Sequence, residues 1–126
     1  MCRITLGRVH DNVVFRECGE EVRLHVSAEP DALVEAVKRC QPIMNKLSNN
    51  LTEENMSAMY PQIRESAIVF STAIFGMNQA QKLSEFYNAD MVAVLRACSQ
   101  YFTMHLCRKI TKLQKRRRHE IIRKTA

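Results

Sequence analysis

From about residue 91 past Arg118 the chain meets neither glycine nor proline. Within that stretch Met91, Leu95, Cys98, Phe102, Leu106 and Leu113 lie on one stripe, with Ile110 at its edge. Val94 and Tyr101 widen it. Apolar residues recurring every three or four positions mark one face of a helix. The spacing therefore predicts one long final helix. An apolar ridge of that extent has to be buried, either on the rest of the chain or on a partner. The last turns lose the stripe and are expected to project into solvent.

The upstream half changes period. Over residues 3–26, Ile4, Leu6, then Val13, Val14 and Phe15, then Val22, Leu24 and Val26 supply β-branched and alternating apolar residues. Arg23 and His25 alternate onto the opposite face. His10-Asp11-Asn12 and Cys18-Gly19-Glu20 are the candidate turns. Two or three short antiparallel strands in a meander are expected, with a helix covering one face. At Pro30 the helical step takes over, through Leu33, Val37, Cys40, Met44 and Leu47. Pro42 falls inside this pattern and predicts a kink or an end near Cys40. Ser48-Asn49-Asn50 reads as a loop and Thr52 as a helix N-cap. Met56, Met59, Ile63, Ala67, Phe70 and Ile74 continue the step, and Pro61 divides it into two expected helices, about 52–60 and 62–75. Gly76 is placed as a left-handed C-cap. A short helix carrying Ala80, Leu83, Phe86 and Tyr87 follows, and Asn88 and Asp90 punctuate the way to the last one.

The expected fold class is α+β. A small N-terminal antiparallel sheet precedes a bundle of four or five helices that ends in a long basic helix. At 126 residues this is one domain, divided as 3–26 meander, 30–113 bundle and 114–126 basic extension. Three glycines and three prolines argue against a loop-rich fold. No apolar run reaches the length of a membrane span, and no secretion signal is read at the N-terminus. Five scattered cysteines then fit a reducing cytosol.

The formal charge is 19 − 13 = +6, but it is unevenly placed. Residues 108–126 hold nine basic side chains and one acid, or +8, which leaves −2 for the first 107. Lys112, Lys115, Arg116, Arg117 and Arg118 form the candidate basic surface. Laid along nucleic acid, they would neutralise several phosphates in a salt-sensitive way. No helix-turn-helix, zinc finger or RNP motif accompanies them.

The chain offers little local chemistry. Cys98, His105 and Cys107 are close in sequence but lack C-x-x-C or H-x-x-x-H spacing and a fourth ligand. No G-x-S-x-G or glycine-rich phosphate loop is present. Glu20-Glu21 sits by a turn and Glu53-Glu54 in a helix first turn, so neither pair marks acid–base catalysis. The chain is read as non-enzymatic, with no catalytic residue, metal or cofactor. Seven methionines, Met44, Met56, Met59 and Met77 among them, suit either core filling or an adaptable binding surface.

One stretch carries a resemblance. It reads Ile74-Phe75-Gly76, Lys82-Leu83 and Phe86-Tyr87, then Val94-Leu95-Arg96-Ala97-Cys98-Ser99 and Tyr101-Phe102. Lys109-Ile110-Thr111-Lys112 and Gln114-Lys115-Arg116 follow. This resembles the tail assembly chaperones of long-tailed phages and prophages of Gram-positive bacteria. The likeness covers roughly the last fifty residues, and the order of strands then helices is similar across the rest. The N-terminal strands carry more cysteine and arginine than that family leads one to expect. The resemblance implies a non-catalytic protein of the host bacterial cytoplasm. Such a protein binds the tape measure protein and keeps it soluble until the tail tube polymerises around it. A second copy of the chain is a further partner such a surface could take. Helix-in-groove binding through Leu95, Phe102, Leu106 and Ile110 is the expected mode. The alternative is a small nucleic-acid-binding protein acting through residues 108–124.

Overall fold

The computed structural model describes residues 3–5, 7–49 and 52–125. Cys2, Leu6 and Asn50 lie outside the described residues, as do the side chains of Ile4, Arg123 and Lys124. The fold is α+β, as the change of period implies. Strands β1 (Arg3–Thr5), β2 (Arg8–Glu17) and β3 (Glu20–Ala28) form an antiparallel sheet in the order β1-β2-β3. Helices α1 (Pro30–Ser48), α2 (Glu53–Phe75), α3 (Met77–Phe86) and α4 (Met91–Tyr101) follow. A π-helical turn, Phe102–Leu106, joins α4 to α5 (Cys107–Thr125).

The register explains the sheet. Val9 pairs with Ala28, Asp11 with Val26, Val13 with Leu24 and Phe15 with Val22. These positions face the helices, and the intervening ones, such as Asn12 with His25, face outward. Cys18 and Gly19 close the β2–β3 hairpin with positive φ at both, +50° and +83°. Two such residues match the right-handed twist of the flanking strands. The expected turn at His10-Asp11-Asn12 is absent, because β2 runs straight through it. Asp11 is a polar residue at an inward position, which disguised the alternation. It is buried, and the Tyr101 hydroxyl on α4 donates a hydrogen bond to it.

Both proline expectations are corrected as well. Each of α1 and α2 is one continuous helix, with Pro42 and Pro61 inside it. A proline removes the bond to the carbonyl four residues earlier. Those residues are Lys38 and Ser57, both exposed like the prolines themselves, so water can serve the orphaned oxygens. Gly76 does separate α2 from α3, but its φ of +83° with ψ of 162° is an extended glycine conformation, not a left-handed cap. Its N–H donates to Thr72 and its carbonyl accepts from Ala80, so one residue ends one helix and opens the next. The end of α3 is a Schellman-type close: Ala89 N–H donates to Ser84 and Asn88 N–H to Glu85. Asp90 then caps α4 by accepting from Ala93 N–H.

Helix α2 is the centre of the molecule and packs on α1, α3, α4 and β3. Its Ile63, Ala67, Phe70 and Ile74 are fully buried and meet Leu33, Leu83, Leu95 and Leu106 in one core. On the free side of β3, the Gln79 amide of α3 donates to the His25 carbonyl and accepts from the His25 N–H. That side chain stands in for a neighbouring strand at this point of the sheet edge.

The basic end is anchored through Gln114 and Arg117, while Lys115, Arg116, Arg118 and His119 are exposed to solvent. Ile110 and Leu113 are buried, and α5 lies along α1. Arg117 donates to Glu29 at 2.5 Å, to Asp31 at 3.1 Å and to the Gly7 carbonyl at 2.7 Å. Gln114 donates to Asp31 at 3.1 Å. The other oxygen of Glu29 accepts from Ala32 N–H and caps α1.

Candidate functional site

A surface recess forms among the described residues where α1 and α4 part. The first half of α1 packs against α5, and its second half leaves an open groove of about 480 Å3 beside α4. Met44 and Leu47 of α1 make one wall. Leu95 and Ser99 of α4, with Thr103 and Met104 of the π turn, make the floor and the other wall. The groove is largely apolar, and the groove proper is rimmed by Arg96 and Gln100. A narrower extension shares Met44, Ser99 and Thr103 and reaches Phe102 and Phe70. Small side chains explain the space: Ser99 and Thr103 face Met44 where larger residues would have closed the contact. Met104 is 72% exposed, which is unusual for so large an apolar side chain.

The π turn shapes this wall. Its closing bond runs from Cys107 N–H to the Phe102 carbonyl, five residues back. The insertion of one extra residue pushes Thr103 and Met104 outward while Phe102 and Leu106 stay inward. Single π turns inside α-helices recur at functional sites.

The structure divides the four residues expected to hold a partner. Leu95 is buried and forms the groove floor. Phe102 is half-buried, edge-on to Phe70 at 5.8 Å, and borders the extension. Leu106 and Ile110 are packed inside the chain's own core, so they offer no face to a partner. Ile110 is at the middle of the buried stripe, not at its edge. Residues the sequence reading did not assign to the site, Met44, Leu47, Thr103 and Met104, complete it. Met104 carried a usable signal: it is an apolar residue standing off the stripe of its own helix.

The other candidates are dispersed. Cys98 is in the core, where burial, with the nearby Cys40, pushes its thiol pKa well up. Cys107 and His105 are exposed, and His105 lies against the Tyr101 ring. Among the described residues no three of His, Cys, Asp and Glu come together as metal ligands. Glu21 pairs with Arg23 along β3 and with Arg16 across the hairpin, and those hydrogen bonds and charges hold its carboxyl below its ordinary range. Of the basic surface, Lys112, Lys115, Arg116 and Arg118 are exposed, and Arg117 is half-buried in its acidic pocket. No helix of the described residues is long and apolar enough to cross a membrane.

Compared with models of protein families, with curated proteins and with solved structures, the chain matches none.

Proposed function

We propose that this chain is a phage tail assembly chaperone that holds a helical segment of the tape measure protein in the α1–α4 groove. One observation carries the reading: an open, methionine-walled apolar groove beside the packed core. Thioether side chains are flexible and polarisable, so such walls adapt to successive, non-identical segments of a long helix. The resemblance over Ile74–Arg116 supplies the partner and spans α4, the π turn and half of α5. A tape measure protein is long, helical and partly apolar, and aggregates when bare. Many small copies covering it, each by a helix-in-groove contact, would keep it soluble.

The test is co-expression with the tape measure protein encoded in the same phage or prophage genome. The wild-type chain is expected to hold the partner in the soluble fraction and to co-purify with it. Met104→Asp, at an exposed position, is expected to abolish both while leaving the melting temperature unchanged. Equal soluble yield with the variant, or with no chaperone at all, rejects the reading.

A further inference from the structure

Helix α5 has two faces of opposite character. Leu106, Ile110, Leu113 and Arg117 turn inward, towards α1 and the turn after β1. About half a turn round the helix axis, Arg108, Lys112, Lys115, Arg116 and His119 share the outer face, and all are exposed. None of these makes an ion pair with a described residue. The nearby acids Glu29 and Asp31 are engaged by Arg117 and Gln114. From 108 to 119 the helix rises about 16 Å, so the positive charge forms a rigid stripe, not a cluster.

We propose that the outer face of α5 is a second binding surface, which takes duplex DNA by its phosphate backbone without sequence preference. The chemistry favours this occupant over a membrane surface and over single-stranded nucleic acid. A helix that lies on a membrane needs a free apolar face, and the apolar face of α5 is buried under α1. Single-stranded nucleic acid is gripped chiefly by stacking on large aromatic rings, and the outer face carries no Phe, Tyr or Trp. Duplex DNA presents a continuous lattice, about one charge per 1.7 Å of axis, which a straight stripe of lysine and arginine matches. Reading adenine needs a free Asn or Gln amide, and the only amide here, Gln114, is bonded to Asp31, which leaves Arg108 and Arg116 to act with the lysines as phosphate contacts. The surface is separate from the apolar groove and stands whether or not that groove holds a tape measure protein.

The experiment is fluorescence anisotropy of the full chain with a labelled random duplex of about 20 base pairs. Four phosphate contacts, through Arg108, Lys112, Lys115 and Arg116, give a log–log salt slope of about −3.6, or about a hundredfold loss between about 50 and 200 mM salt. Lys112→Glu with Lys115→Glu is expected to weaken binding more than about tenfold at the lower salt. Lys38→Glu with Lys46→Glu makes the same charge change at exposed positions on α1 and is expected to cost less than about twofold. The wild-type salt slope gives an independent reading should a variant fold poorly. Absence of binding at the lower salt, equal weakening by the two double variants, or capture of anionic phospholipid vesicles in preference to duplex overturns the proposal.

Discussion

At the residue scale Arg117 does most to join distant parts of the chain. Its guanidinium gathers the turn after β1, the N-cap of α1 and the last turns of α5. Burial raises the Glu29 pKa, but the Arg117 hydrogen bond, the Ala32 N–H and the Arg117 charge outweigh it, and the net shift is downward. Asp31 is lowered by the Gln114 hydrogen bond and then by Arg117, against some desolvation. Carboxylates depressed in the folded state stabilise it fully above their ordinary values, 4.5 and 3.8, and lose that contribution as pH falls through the lower folded values. Arg117→Ala is therefore expected to cost about 1 kcal/mol at neutral pH, as a partly exposed charge network does. Its penalty should shrink steadily below about pH 4.5, a trend that urea melts of both proteins across pH would reveal. Cysteines give a second check. Burial raises the thiol pKa of Cys40 and Cys98, whereas Cys18 and Cys107 are exposed. A thiol reagent should modify Cys18 and Cys107 in the native protein and reach Cys40 and Cys98 only on unfolding, as mass spectrometry of the labelled peptides would report.

At the element scale the π turn reconciles the apolar stripe with helix geometry. Cys98, Phe102, Leu106 and Ile110 repeat at four, four and four. A regular helix gains about 40° at each such step and would carry Ile110 off the core. One inserted residue resets the phase, which is why Ile110 is buried and not marginal. The repeated step of four was visible in the sequence, although the stripe alone did not reveal its meaning. Deleting Thr103 should convert the π turn to regular helix and leave α5 seated, whereas deleting Thr111 should rotate Leu113 and Arg117 about 100° away from α1. Thermal melts should place the first variant close to wild type and the second far below it. The α3–α4 connection offers a simpler change. Asn88 suits its φ of +55°, but Ala89 sits at +61° with a Cβ that disfavours it. Its carbonyl accepts from the Tyr60 hydroxyl, which holds it there. Ala89→Gly should stabilise the protein by about 1 kcal/mol in denaturant melts.

At the scale of the whole molecule, two surfaces are offered by one nearly continuous helix, Met91–Thr125. Its α4 half helps to build an apolar groove and its α5 half carries a basic stripe. The surfaces should fail independently: Met104→Asp should leave duplex binding intact, and Lys112→Glu with Lys115→Glu should leave tape measure solubility intact. Running both assays on both variants and on their combination checks this, with additive losses expected. The sequence by itself determined the class of the fold, because the change from period two to period three-and-a-half at Pro30 dictates a sheet and then helices. It also determined the hairpin at Cys18-Gly19, the caps at Thr52 and Asp90, and the final apolar stripe, all of which are local physics. Only the tertiary structure decided that Pro42 and Pro61 lie inside helices, since solvent on their side serves the orphaned carbonyls. It alone placed Asp11 in a strand, where a tyrosine ninety residues away satisfies it. It also chose which apolar residues close on one another and which stay open, because the small Ser99 and Thr103 leave space only when Met44 arrives opposite them. Period and composition act along the chain, but burial depends on what comes to face each residue across space.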